Sequence, residues 1–197
     1  QWRAFVAATG YRSEAERGDG AHVWTGQKYE RKPGVSWANP GYALNDVLPV
    51  TCVSWNDAQE YINWLNGKTG RNCRLPTEAE WEYCCRAGAG GASSSRVDAI
   101  GWSKANSNQA AQPVGLKEKN VFGLHDMLGG VWEWCQDWEG AYSDAAQADA
   151  IGPSSGKNRV ARGGGFLSAA EYLRPSIRVP APPDLRAVDL GFRLASD

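Results

Sequence analysis

The chain has 197 residues, of which 42% are hydrophobic and 22% charged, a globular composition that excludes disorder of the whole chain and suits one domain over residues 1–197. Lys and Arg total 21 and Asp and Glu total 22, so the net charge of −1 provides no basic excess for a nucleic-acid partner. No apolar run approaches the roughly 20 residues of a membrane span, and the first residues lack a signal-peptide layout, although we expect the chain to have begun earlier.

The first half of the chain contains two predicted helices separated by a long irregular stretch. Apolar residues at helical spacing predict a short helix over residues 1–10. The Gly- and Pro-rich stretch 18–45 lacks periodicity, which predicts irregular structure. A helix over 55–66 is predicted to begin after Ser54, whose hydroxyl can cap it, and to end at Gly67.

A further helix and several strands are predicted beyond this point. Thr77 and Glu80 have the spacing of a capping box, in which each side chain accepts from the other residue's backbone N–H. Residues 131–135 alternate with the period of a strand, so that the two tryptophans among them share one face. The apolar patches 159–161 and 190–195 also predict strands.

The cysteines give no metal-binding pattern. Their number is odd, no two have the C-x-x-C spacing, and only two histidines are present, so a zinc site is not indicated. Disulfides and buried free thiols both remain open for Cys52, Cys73, Cys84, Cys85 and Cys135.

Several motifs in order along the chain carry a family resemblance. They are Leu48-Pro49-Val50 with Val53-Ser54-Trp55, the stretch 74–83 (RLPTEAEWEY), the stretch 120–134 (NVFGLHDMLGGVWEW), Arg162-Gly163-Gly164, and 190–194 (LGFRL). Together they resemble the formylglycine-generating enzyme, or sulfatase-modifying factor, family. The resemblance implies an α+β, C-type-lectin-like fold with few helices, short twisted strands and much irregular structure.

The copper site that the resemblance implies is missing its ligands. Enzymes of this family use two cysteines five residues apart, shortly after the Gly-Gly pair, and soft thiolates suit Cu(I). The matching positions here hold Ser168 and Leu173, and no cysteine follows Cys135. We therefore expect no copper and no catalysis, with a divergent oxidoreductase of the family as the alternative.

The resemblance also implies a structural Ca²⁺ site in the segment that begins at Asp126. In the family, this site is built by two side-chain oxygens at the ends of the segment and by main-chain carbonyls between them. Carboxylate and carbonyl oxygens are the ligands that Ca²⁺ prefers. The predicted ligands are Asp126, Gly129, Val131 and Glu133. An ordinary acidic pair, solvated or salt-bridged, is the alternative.

Residues 165–189 carry a second resemblance. They contain four of the ten prolines and many apolar residues, a composition typical of a contact surface. With residues 161–164 they resemble the variable region of proteins diversified by retroelements, in which Asn codons are rewritten within a frame of the form R-G-G, R-P-S, P-D-x-R and L-G-F-R. Such rewriting cannot give Gln, Glu, Lys, Met or Trp. None of these five occurs at the fourteen predicted variable positions, Gly165, Leu167, Ser168, Ala169, Tyr172, Ile177, Val179, Pro180, Ala181, Pro182, Leu185, Ala187, Val188 and Asp189.

These resemblances predict a non-catalytic binding protein, a monomer displayed on a cell surface or phage particle. Its partner would be a protein or cell-surface ligand, with Tyr172 as the principal anchor. A fold that tolerates wholesale substitution cannot use the substituted side chains for packing, so we expect the variable positions to form one solvent-facing surface. The frame residues Arg174, Pro175, Arg178, Asp184 and Arg193 are expected to turn inward or to bond to the scaffold.

Overall fold

A computed structural model describes residues 1–88, 97–142 and 150–196 of the chain. It begins with helix α1 (Trp2–Thr9), which ends where Gly10 adopts a φ of 68°, as its apolar spacing predicts. Helix α2 (Glu14–Arg17) follows, and strands β1 (Ala21–Trp24) and β2 (Tyr29–Lys32) form an antiparallel hairpin. The prediction of irregular structure throughout 18–45 is therefore wrong at this hairpin, because backbone pairing forms strands there without a hydrophobic period.

Two capped helices organise the middle of the chain. Helix α3 (Trp55–Thr69) has the predicted Ser54 cap but continues to Gly70, whose φ of 68° ends it. The predicted end at Gly67 is wrong, since an open helix surface tolerates glycine at a modest cost. After the short strand β3 (Cys73–Arg74), helix α4 (Glu78–Arg86) has the predicted capping box between Thr77 and Glu80.

The remaining elements are short, apart from strand β6. They are helix α5 (Val97–Ile100), strands β4 (Gly101–Trp102), β5 (Leu128–Gly129), β6 (Trp132–Trp138) and β7 (Arg159–Arg162), a 3₁₀ turn (Ala170–Tyr172), and strands β8 (Arg178–Ala181), β9 (Leu190–Gly191) and β10 (Ala195–Ser196). This is the α+β fold of few helices and short strands that the resemblance implies. Among the described residues, no helix is long and apolar enough to cross a membrane.

The principal sheet has the strand order β8-β7-β6-β9. Strand β6 is antiparallel to β7 and parallel to β9, and β7 is antiparallel to β8. One side of the sheet packs against α1 and α3 through a cluster that includes Trp134, Ile62 and Phe5. A second cluster, around Trp81 and Val160, joins the sheet to α4.

The C-terminal third differs from its predicted secondary structure in two places. The predicted strand over 190–195 is divided into β9 and β10, which pair with different partners, β6 and β3. The segment 165–189 has no strand period, yet it contains β8. This strand includes Pro180, which is tolerated because β8 lies at an edge of the sheet.

All five cysteines are free, and four of them are buried. Burial raises the pKa of the Cys52 thiol, and likewise that of Cys85, to about 12. These thiols therefore stay protonated at neutral pH and act as small apolar groups in the core.

Candidate ligand-binding cavity

A cavity of about 510 Å³ opens between the β1–β2 hairpin and the C-terminal segment. Ten of its lining residues belong to the fourteen predicted variable positions: Leu167, Ser168, Ala169, Tyr172, Val179, Pro180, Ala181, Leu185, Ala187 and Asp189. The other lining residues are His22, Trp24, Tyr29, Trp132, Ala161 and Leu190. The volume falls in the range of about 300–1,000 Å³ typical of small-molecule pockets.

The segment that surrounds the cavity begins with two glycines in a left-handed backbone conformation. Gly163 and Gly164 have φ values of 99° and 82°, which side chains other than glycine rarely adopt. A Cβ on Gly164 would also lie 3.0 Å from the side chain of Leu173. The chain can therefore turn sharply after β7, and the 3₁₀ turn then presents Tyr172 to the cavity.

Backbone hydrogen bonds fix the far end of the same segment. The His22 N–H donates to the Arg186 carbonyl, and the Val188 N–H donates to the His22 carbonyl. The N–H groups of Cys52 and Trp55 donate to the carbonyls of Ala187 and Pro183. Since these bonds involve only the main chain, they hold this end of the segment whichever side chains the exposed positions carry.

Asp189 lies at the floor of the cavity and is only 1% exposed. The Tyr29 hydroxyl donates to its Oδ2 over 2.7 Å. Burial raises the pKa of the Asp189 carboxyl to about 6, although the hydrogen bond from Tyr29 opposes the shift. Burial and the same carboxylate also raise the pKa of Tyr29, so this phenol remains protonated.

Four predicted variable positions do not line the cavity. Of these, Pro182 is exposed and Ile177 is half-buried, whereas Gly165 and Val188 are buried. A Cβ on Gly165 would lie 2.5 Å from Oδ2 of Asp189, so a side chain there would displace the carboxylate. Val188 packs in the cluster that contains Phe166.

The expectation that all fourteen positions face solvent is wrong for five of them. Gly165, Ala181, Ala187, Val188 and Asp189 are buried. The alanines pack beside Trp134 in the main core, where larger residues would meet close packing. The most exposed large apolar positions of the segment are Tyr172 and Val179, at 50% and 39%.

Two of the five frame residues bond to the scaffold through ion pairs with buried glutamates, as expected. Arg178 donates to Glu78 and to the Gly140 carbonyl, while Arg193 binds both oxygens of Glu133. Pro175 is buried as well. The expectation is wrong for the side chains of Arg174 and Asp184, both of which are exposed.

Two further arginines within the segment's frame act in the same way. Arg162 is fully buried, is paired with Glu82, and donates to the Ile177 carbonyl. Arg186 is paired with Asp19 and donates to the carbonyls of Gly20 and Asp184. Planar guanidinium groups therefore tie loop carbonyls to fixed carboxylates on both sides of the cavity.

Sequence reasoning missed the aromatic wall that faces the variable positions. His22, Trp24 and Tyr29 come from the hairpin, which was predicted to be irregular. The alternation around Trp132 did predict its shared face with Trp134, but not that Trp132 faces a cavity. Isolated aromatic residues in a Gly-rich stretch were the available signal.

Glu133, one of the four residues predicted to bind calcium, is already engaged by other side chains. Both oxygens of Glu133 are bound by Arg193, and its Oε2 also accepts from the Trp81 indole. The same guanidinium lies 3.3 Å from the carbonyls of His125 and Asp126. Arg193 thus already neutralises the acidic end of the predicted site. Gly129 and Val131 are buried.

The described residues contain no group of three or more His, Cys, Asp or Glu side chains suited to a metal ion. At the two positions where the family places its copper ligands, Ser168 lines the cavity and its hydroxyl accepts from the Gly165 N–H. Leu173 is instead buried in the cluster around Trp81. A hydroxyl and a hydrocarbon cannot replace two thiolates for Cu(I).

The few helices, the short strands and the four-stranded sheet define a C-type-lectin-like fold. Comparison with protein families shows that a sulfatase-modifying factor enzyme 1-like domain matches residues 1–197. The chain therefore belongs to the formylglycine-generating enzyme family.

The similar proteins include an enzyme, a protein named as inactive and a protein named as variable. The formylglycine-generating enzyme of Mus musculus is 34% identical over 98% of this chain, which spans only 62% of that protein's length. A second mouse protein, inactive C-alpha-formylglycine-generating enzyme 2, is 30% identical over 99% of the chain and 71% of its own length. The solved structure of Treponema denticola variable protein 1 superposes with a TM-score of 0.74 at 29% identity, covering 82% of this chain and 76% of that one.

Proposed function

We propose that this chain is a non-catalytic binding protein whose cavity contacts a protein or cell-surface ligand. The observation that carries the proposal is the convergence of ten predicted variable positions on one cavity. The resemblance to a variable region assigns these positions, and none of them holds a residue that the codon rule excludes. Their grouping is what a diversified recognition surface requires.

The physical character of the cavity suits recognition. Tyr172 is a rigid, amphipathic side chain at the rim, of the kind enriched in binding loops. The backbone that carries Tyr172 is held by main-chain hydrogen bonds and buried arginines, so substitutions at the rim of the cavity need not alter it. Recognition commonly resides in loops carried by such rigid frames.

The named relatives support the same proposal. One similar structure is called a variable protein, and one relative is named as inactive. We further propose display on a cell surface or phage particle, which would place the cavity where a partner can reach it.

The proposal predicts that Tyr172→Ser with Val179→Ser abolishes ligand binding while costing less than about 1 kcal/mol of stability, because both side chains are exposed. The matched control is Tyr83→Ser with Val121→Ser. These two residues, 66% and 83% exposed, lie outside the cavity. A displayed peptide library, depleted on the Tyr172/Val179 variant and panned on the unmodified protein, supplies the ligand, and binding is measured by calorimetry.

Enriched peptides should bind the control variant as well as the unmodified protein and should not bind the cavity variant. Equal binding to all three proteins, or no enrichment after depletion, would overturn the proposal. Thermal melts of both variants separate loss of binding from loss of folding.

A divergent oxidoreductase is the second candidate, favoured by the 34% identity to an enzyme. Our proposal instead predicts that the purified protein, supplied with copper, does not convert the cysteine of a sulfatase-motif peptide to formylglycine. The reason is that Ser168 and Leu173 stand where the family has its thiolate pair. Mass spectrometry of the peptide measures conversion, and the mouse enzyme serves as the positive control. Conversion that persists after Ser168→Ala would show that the site has been rebuilt elsewhere.

A further inference from the structure

The cavity contains an uncompensated negative charge. Asp189 is the only Asp, Glu, Lys or Arg among its lining residues, and in the described part of the chain it takes part in no salt bridge. The neighbouring cations are engaged elsewhere, since Arg178 binds Glu78 and Arg186 binds Asp19. A buried carboxylate without a cation attracts positive charge strongly, because little water screens it.

The walls above the carboxylate are aromatic. The rings of Trp24 and Tyr29 are 5.2 Å apart and inclined at 60°, and Trp132 and Tyr172 also line the cavity. Aromatic faces carry negative potential and attract cations, most strongly where water is excluded. The aromatic walls and the carboxylate therefore both favour a positively charged ligand.

His22 adds a hydrogen-bond acceptor to the same wall. Its Nδ1 lies 3.1 Å from the Arg186 carbonyl, an acceptor, so in the neutral ring Nδ1 carries the proton and donates. The other ring nitrogen, Nε2, is then an acceptor. Acceptors on the protein favour a cation that carries N–H donors over a quaternary ammonium group.

We propose that the cavity selects an alkylammonium group, presented as a lysine side chain of the partner protein. This inference rests on the proposed function and specifies its ligand. The aliphatic stem of lysine would pack among Leu167, Val179 and Leu185, while its compact head reaches toward Asp189 between the aromatic rings. A slender chain with a small charged end suits a carboxylate that is only 1% exposed.

The test uses Nα-acetyl-lysine-N-methylamide and its norleucine counterpart, which has the same backbone and an uncharged alkyl side chain. Each is titrated into the full chain near neutral pH, with binding followed by ligand-observed NMR. We expect the lysine compound to bind at least about tenfold more tightly, equivalent to about 1.4 kcal/mol. The variant Asp189→Asn should reduce this preference to near unity while leaving norleucine affinity unchanged, which shows an intact cavity.

Asp184→Asn is the matched control, since it removes an exposed carboxylate of the same segment that lies outside the cavity. It should keep the lysine preference. Equal affinity for the two compounds, a preference that survives Asp189→Asn, or no binding of either compound would overturn the ammonium inference. The proposed function is judged separately by the panning experiment, and enriched peptides without lysine would uphold it while refuting this inference.

Discussion

Asp189→Asn is expected to stabilise the fold relative to the unmodified protein by about 2 kcal/mol more at about pH 8 than at about pH 4, where part of the full penalty is already present. The carboxyl of Asp189 has a pKa of about 6 in the folded protein, against an ordinary value of 3.8. A pKa difference of about 2 corresponds to about 3 kcal/mol. The buried position of Asp189 leaves little solvent to screen this effect.

The direction of this pH dependence follows from the number of protons that the folded and unfolded states bind. Between the two pKa values the folded state holds a proton that the unfolded state has released, so the free energy of unfolding falls as the pH rises through this window. Above the pKa of the folded state, the full cost of ionising the buried carboxyl is present. An asparagine at position 189 does not have this cost.

Urea denaturation of both proteins at several pH values measures the difference directly. All other residues are common to both proteins, so their effects largely cancel in the comparison. Asp184→Asn, which removes an exposed carboxylate of the same segment, is the control for this comparison. A flat difference for Asp189→Asn would contradict an ionised, buried carboxylate at the cavity floor.

Arg162→Met should destabilise the protein by about 3–5 kcal/mol, the cost of removing one partner from a buried ion pair. Arg162 is fully buried, is paired with Glu82, and donates to the Ile177 carbonyl over 2.8 Å. Its Nε also lies 3.5 Å from Glu78. Methionine retains an apolar stem but leaves the carboxylate and the carbonyl without their donor.

The control for this prediction is Arg174→Met, at an exposed site in the same C-terminal segment. Its cost should remain below about 0.5 kcal/mol, as is usual for exposed positions. Thermal and urea unfolding of the two variants give the comparison. Similar small losses in both would show that the buried guanidinium does not hold the segment to α4.

The sequence predicted the features that depend on local chemistry. The caps at Ser54 and Thr77 are side-chain hydrogen bonds within four residues, so residue types and spacing are sufficient to predict them. The family motifs likewise predicted the fold class. The resemblance to a variable region gave fourteen positions, of which ten line one cavity, although it gave no information about their burial.

Features that depend on distant contacts could not be predicted in this way. Ala181 and Ala187 are buried in a core cluster together with Trp134 and Phe5, which are distant in sequence. The ion pair at the predicted calcium site depends on Arg193 reaching Glu133 across 60 residues. No local sequence pattern predicts contacts of this kind, because they form only in the tertiary fold.

The most direct test of a ligand in this cavity is the response of the tryptophan indole N–H signals in a ¹H–¹⁵N NMR spectrum. Trp24 and Trp132 line the cavity, whereas Trp138 lines a separate cleft beside α4. On titration with a peptide enriched by panning, we expect the signals of Trp24 and Trp132 to shift and that of Trp138 to stay in place. A shift of Trp138 with Trp24 and Trp132 unmoved would contradict the proposed binding site.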